Sequence, residues 1–266
     1  MNKITRYLLS KFGYTLILKS KLEALKQGQK KKSWRDHAFA DGDYFKELEA
    51  YQTKGKHIHY RSQLGQDYLA AFLFGPNGFF VEFGATNGVE LSNSLALEQM
   101  GWKGILAEPS KKWHQALLEN RPGSSICTEC VWSRSGEEIA FSDASEGIYS
   151  TISSFADSDH NPRQIVASYP VRTISLKDLL DEHQAPKFIE FLSIDTEGSE
   201  FEILSAFNWE DRSFGFIAVE HNYTENRQKI HDLLTSKGYA RVLEHHSKWD
   251  DWYIHDSLKR KVESKD

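Results

Sequence analysis

Cysteine is scarce in this chain, with only Cys127 and Cys130 among 266 residues. Two thiols cannot build a disulfide framework, so the expectation is a reducing, cytoplasmic compartment. Their Cys-x-x-Cys spacing lacks the further ligands of a Cys₄ or Cys₃His zinc shell, and both read as structural thiols. Long apolar runs are missing as well. The longest near the N-terminus, Tyr14 to Leu18, falls far short of the roughly 20 residues a membrane span needs, and no secretory pattern precedes it. No GxGxxG follows a strand to cradle a dinucleotide, and no glycine loop ends in Lys-Ser/Thr as a P-loop does. An excess of positive charge is also absent: the net charge is −5, and nucleic acid is not an expected partner.

That balance is uneven. Residues 1–33 carry nine Lys/Arg against one acid, Glu23, leaving −13 for the rest. Ile4, Tyr7, Leu8 and Phe12 fall near one helical face with Lys3, Arg6 and Lys11 elsewhere, the pattern of a basic amphipathic helix. Such an arm could rest on an anionic membrane surface or a protein partner, or pack on its own domain. Lys30-Lys31-Lys32 reads as a linker, and a short helix is expected from Asp43 to Tyr51.

The rest is organised around FFVEFGATNG, Phe79 to Gly88, an apolar strand running into a glycine-bearing turn. Glycine at 84 and 88 permits positive φ and close approach of a ligand, at the place where open α/β sheets bind nucleotides. Ser62 to Gly78 precedes it as a polar turn and a helix leaning over the site. A helix from Leu91 to Met100 follows. The strand GILAEPS, Gly104 to Ser110, ends on Glu108, which lies 24 positions beyond Gly84. An acid there is where α/β folds hold a ribose diol. After a helix from Lys112 to Asn120, a third strand is expected over Ser125 to Trp132, with Glu129 near the ligand's base. Glu137 to Ser142 and Ile148 to Ser154 read as an inserted hairpin or flap, and Ser153 to Ser168 as loop.

Val171 to His183 is a strand feeding a helix capped by Ser175. FIEFLSID, Phe188 to Asp195, and FGFIAVEHN, Phe214 to Asn222, repeat the pattern of apolar strand, acidic end and following helix. Repetition of this unit indicates α/β architecture with a mostly parallel sheet whose carboxyl edge lines one crevice. Tyr239 to Glu244 and Asp251 to His255 read as a closing antiparallel pair. His57, His59, His245 and His246 have no carboxylates paired with them in sequence and read as surface residues. Trp249, Trp252 and Tyr253 read as core or interface, with a stacking role left open.

These segments together resemble the FkbM family of S-adenosylmethionine-dependent O-methyltransferases. The similarity is carried by SQLGQD at 62–67, FFVEFGATNG at 79–88, SNSLALEQMGWKGILAEPS at 92–110, TISLKDLL at 173–180, LSIDTEGSEFEIL at 192–204, VEHN at 219–222 and DDWYI at 250–254. Glu82 and Phe83 depart from it, standing where Asp and a smaller aliphatic are common. The resemblance implies a class I methyltransferase Rossmann-like sheet with an antiparallel last strand. The expected organisation is a methyltransferase domain over 62–258, with a basic helical extension and linker over 1–61 and a charged tail over 259–266, the first 61 residues lying outside the resemblance. The resemblance further implies that Glu82, Gly84, Ala85, Asn87 and Gly88 wrap the methionine part of S-adenosylmethionine and that Glu108, with Pro109 and Ser110, holds the ribose.

In similar enzymes the acceptor is a hydroxyl of a sugar or secondary metabolite, which suits polysaccharide biosynthesis. His221 is expected as the general base because histidine is the side chain whose unperturbed form suits proton transfer near neutral pH, with Asp195 and Glu220 beside it. Asp195 and Glu197 could bind the cofactor's ammonium, and with Glu220 a divalent cation; the sequence does not divide these roles. Two other readings compete. One is a non-catalytic binding module on this fold, against which the ionisable strand ends speak. The other is an NAD(P)-dependent sugar-modifying oxidoreductase, against which the missing GxGxxG speaks.

Overall fold

The computed structural model describes residues 59–158, 163–256 and 258. The basic arm, the lysine linker, the 43–51 helix, His57 and the 259–266 tail lie outside them.

The strand β1 (Phe79–Phe83) forms where the sequence runs apolar, and it lies near the middle of a seven-stranded sheet. Beside it on one side run β2 (Lys103–Ala107) and the edge strand β3 (Ser125–Cys127). On the other side come β8 (Phe188–Ile194), β9 (Ser213–Glu220), β11 (Asp250–His255) and β10 (Tyr239–Val242), in that order. Every pairing is parallel except those of β11, which runs antiparallel to both neighbours. The expected mostly parallel sheet with a reversed last strand is therefore present. Its central strands are buried almost throughout, as strands covered on both faces must be. Phe191 and Phe216 stack at 4.9 Å between ring centroids, and Trp252 and Tyr253 are wholly inside.

The helices are α1 (Gln66–Phe74), α2 (Leu95–Gln99), α3 (His114–Asn120), α4 (Leu176–Glu182), α5 (Glu200–Ala206), α6 (Asn226–Ser236) and α7 (Glu244–Ser247). The cap predicted at Ser175 forms, its hydroxyl accepting from the Asp178 backbone N–H at 3.1 Å. None of the described helices is long and apolar enough to cross a membrane.

Three expectations about elements are corrected. The helix expected from Leu91 starts only at Leu95, because Leu91 sits at φ +57° and residues 92–94 are pinned to the Glu82 carboxylate. The strand expected over 125–132 is two: β3 closes the main sheet, and β4 (Cys130–Trp132) joins a second one. That second sheet has the order β4-β7-β5-β6, with β5 (Glu138–Ala144), β6 (Thr151–Ile152) and β7 (Ile165–Ser175). β7 therefore begins inside the stretch expected to be loop. Its outer half is exposed, Ile165 and Val166 included, so its apolar residues do not mark a buried face there.

Candidate functional site

The carboxyl ends of β2, β1, β8 and β9 stand side by side, and the loops leaving them surround a cavity of about 420 Å³. The insertion that carries β5 and β6 walls one side through Phe141, Ile148, Tyr149 and Ile152. Seven carboxylates line the cavity, from Glu82, Glu90, Glu108, Asp195, Glu197, Glu220 and Asp250. Among the described residues no Lys or Arg lines it. Such a lining repels phosphate and favours a cation.

At the β1–β2 side the chain is shaped by close approach. A Cβ on Gly84 would sit 2.1 Å from the Asp195 carbonyl oxygen, and Gly84 holds φ +72°; only glycine fits. Glu108, leaving β2, accepts the Thr86 N–H on Oε2 and the Ser110 N–H on Oε1, each at 2.8 Å. Each oxygen keeps a lone pair for a ligand. Burial pushes this carboxyl up to about 7. Ala85 and Pro109 line the cavity beside it.

Other residues expected at the cofactor also hold the frame of the site. Both Glu82 oxygens are engaged by the 92–94 loop, Oε1 by the Asn93 N–H at 2.8 Å and Oε2 by the hydroxyls of Ser92 and Ser94. Burial pushes its carboxyl up, offset in part by Arg121. Asn87 turns its amide oxygen onto the N–H groups of Val89 and Glu90, and a Cβ on Gly88 would collide with Arg121 and Leu117 on α3. Asn87, Gly88 and Ser110 are not among the lining residues. The loop-shaping glycine is legible in sequence, but which side of it faces a ligand is not.

Arg121, which sequence reasoning passed over, is fully buried and locks this loop. It donates to the Gly88 carbonyl and to Ser92 and Ser94, and pairs with Glu98 Oε2 at 3.0 Å. Asn93 was also missed; its amide donates to Ser193 Oγ at 2.9 Å on the cavity wall.

At the β8–β9 side, Asp195, Glu197 and Glu220 converge, with one oxygen of each within 4.8 Å of the others. Burial first, and then the neighbouring carboxylates, raise Asp195 and Glu220 well above the usual carboxylate range. Glu197 holds φ +57°, and Arg163 from the base of the flap donates to its Oε2 at 2.6 Å. Asp250 accepts from Gln66 Nε2 at 2.7 Å, and burial pushes it up to about 6. Gln66 and Asp250 lie inside segments the sequence singled out, SQLGQD and DDWYI, though neither was singled out by itself. Arg163 had no sequence signal.

The expected base, His221, is turned away. Its Nδ1 accepts the Tyr223 N–H at 2.9 Å, so a neutral ring carries its proton on Nε2. That nitrogen faces Asp251 Oδ1 across 3.7 Å, and His221 does not line the cavity. Burial opposes ionisation of Asp251, but the His221 and Arg227 side chains beside it outweigh burial and hold its carboxyl well below the usual range. Side chains of successive residues at a strand end point to opposite faces, so with Glu220 inward, His221 goes outward.

Glu129 does not line the cavity and pairs with Arg172 at 3.0 Å. Cys127 and Cys130 are free and buried, with thiols pushed up by burial to about 11 and about 12. Trp249 lines the cavity mouth, near Tyr223, which is 65% exposed.

The family described as "Methyltransferase FkbM domain" matches residues 82–253. Among solved structures, the chain is similar to a precorrin-6y C5,15-methyltransferase from Geobacter metallireducens, at 11% identity over 74% of this chain and 92% of that one, TM-score 0.40. It is also similar to a TehB-like S-adenosylmethionine-dependent methyltransferase from Corynebacterium glutamicum, at 6% identity over 80% and 94%, TM-score 0.38. No curated protein matches significantly in sequence.

Proposed function

The chain belongs to the FkbM methyltransferase family, and from that premise we propose that it transfers a methyl group from S-adenosylmethionine to a hydroxyl of a sugar, a polysaccharide or a similarly hydroxylated metabolite. One observation carries the hydroxyl reading: the acid cluster at the β8–β9 ends shares its cavity with the aromatic side chains of Tyr149, Tyr223 and Trp249. Carboxylates accept hydrogen bonds from hydroxyls, and aromatic faces cover the apolar side of a sugar ring.

The cavity fits the donor on its own chemistry. Its lining of carboxylates without Lys or Arg suits a ligand that carries a sulfonium and an ammonium. Glu108 has lone pairs for a ribose diol, and Gly84 with Ala85 gives the methionine part a backbone surface. When bound, S-adenosylmethionine supplies an electrophilic methyl on sulfur, which passes to the acceptor oxygen as the carbon–sulfur bond breaks.

The chain's residues then have three tasks. Glu108 and the 84–86 turn fix the donor at the β1–β2 side. The flap residues Ile148 and Tyr149 narrow the mouth and exclude water. Asp195 and Glu220 take the proton of the acceptor hydroxyl, because burial and mutual repulsion raise their carboxyls toward the range in which a base works near neutral pH.

The test is incubation with methyl-labelled S-adenosylmethionine and a panel of glycosides. Label should enter base-stable methyl ethers, and Asp195→Asn should slow transfer by roughly a hundredfold. Label found only in amines or base-labile esters would contradict the hydroxyl acceptor.

A further inference from the structure

The three carboxylates at the β8–β9 ends form an arrangement that base catalysis alone does not explain. One oxygen each of Asp195, Glu197 and Glu220 lies within 4.8 Å of the others, and like charges that close are costly in a buried site. Arg163 offsets one of them through Glu197. A second, independent observation is at Glu220. The residue is 7% exposed, and its Oε2 is buried with no hydrogen-bond donor reaching it among the described residues. Buried acceptors are nearly always satisfied, so an orphan facing two more carboxylates calls for a positive partner.

The donor set identifies the kind of partner. It is all oxygen: the His221 ring is turned toward Asp251, and burial keeps the Cys130 thiol protonated. Carboxylate oxygen selects hard cations over zinc or copper. Three carboxylates less one guanidinium leave two negative charges, which a divalent ion balances. The spread of 4.8 Å is close to the ~4.2 Å between opposite oxygens of a shell with metal–oxygen bonds of roughly 2.1 Å, a difference that side-chain rotation closes.

We propose that Asp195, Glu197 and Glu220 form a binding site for a divalent cation of the Mg²⁺ or Mn²⁺ type, which holds the acceptor hydroxyl and eases loss of its proton. The role, though not the site, rests on the methyltransferase reading. In the sheet order β2-β1-β8-β9 the cluster lies on the far side of β1 from Glu108, so a cation there leaves the donor's place free. A bound cation lowers the pKa of an oxygen it touches, and the proton passes to a carboxylate oxygen of the same cluster.

The experiment titrates Mn²⁺ into the full chain, reading free Mn²⁺ by electron paramagnetic resonance, with and without saturating S-adenosylhomocysteine. One site should fill, excess Mg²⁺ should empty it, and S-adenosylhomocysteine should leave it intact. Glu220→Gln and Asp195→Asn should each weaken Mn²⁺ binding at least roughly tenfold. Both substitutions keep side-chain shape and relieve repulsion, so without Mn²⁺ their melting temperatures should be no lower than that of the unmodified chain. Equal Mn²⁺ binding by the unmodified chain and both variants overturns the proposal, as does loss of Mn²⁺ when S-adenosylhomocysteine saturates, which would make the cluster the seat of the donor's ammonium. Binding of S-adenosylhomocysteine, measured on the same samples, separates the two readings: if it binds and Mn²⁺ does not, only the cation site falls, and if Mn²⁺ binds alone, only the methyltransferase reading falls.

Discussion

Gly84 shows how one residue joins fold and site, because it lets β1 end directly against the Asp195 carbonyl. Gly84→Ala forces a Cβ to within 2.1 Å of that oxygen at φ +72°, so β1 and β8 must part. The strain alone is about 1–3 kcal/mol, and the separation also displaces Asp195. The expected result in chemical denaturation is a lower midpoint, with S-adenosylhomocysteine binding lost together with stability; unchanged stability would contradict the close approach. At this scale the sequence was informative where residue type alone limits conformation or chemistry. A glycine at a strand end and an acid 24 positions on marked Gly84 and Glu108, both of which line the cavity. It was uninformative where orientation decides. His221 and Glu220 are adjacent acid–base candidates in sequence, yet one faces the cavity and the other Asp251. Arg121 and Arg163 pair with acids distant along the chain, Glu98 and Glu197, and no local pattern reveals such pairs.

Among elements, those that bury themselves on both faces were the legible ones. β1, β8 and β9 are mostly apolar runs closed by polar residues, and each lies where the sequence places it, within a residue or two at either end. Elements defined by tertiary contact were not. The α2 start is set by Glu82, ten or more residues earlier, whose carboxylate gathers the N–H of Asn93 and the hydroxyls of Ser92 and Ser94. The split between β3 and β4 is set by which sheet each strand finds, since β3 pairs with β2 while β4 pairs with β7 some forty residues on. The same holds for the flap. Its hairpin was expected over 137–142 and 148–154, but β7, its longest strand, is mostly exposed on its outer half and becomes buried only where Tyr169 and Val171 pack with Phe141 of β5. Pattern reading depends on burial, and these pairings carry little of it.

For the whole molecule, the acidity gathered inside makes stability depend on pH in a stated direction. Burial raises Glu108 from 4.5 to about 7, and Asp67 and Asp250 from 3.8 to about 6. Each raised carboxyl binds a proton more tightly folded than unfolded, so stability falls as pH climbs from the unfolded toward the folded value, by ~1.4 kcal/mol per pKa unit. Asp251 works the other way: its contribution is present above the ordinary carboxylate value and is lost as pH falls from there through its depressed one, below the interval considered. The ligand-free melting temperature should therefore be highest near pH ~5 and decline toward pH 8; a steady rise over that interval would contradict the buried, raised carboxyls. An ionised Glu108 is the better acceptor for a ribose diol, so donor affinity should improve over the same interval. The most direct test of the account is calorimetric titration of the full chain with S-adenosylhomocysteine, paired with thermal melting and repeated for Glu108→Gln and with NAD(H). The account predicts one site, a rise in melting temperature of roughly 5–10 °C at a hundred times the dissociation constant, near-complete loss of both in Glu108→Gln, and no response to NAD(H). A folded protein that takes up no S-adenosylhomocysteine at saturating concentration would contradict it.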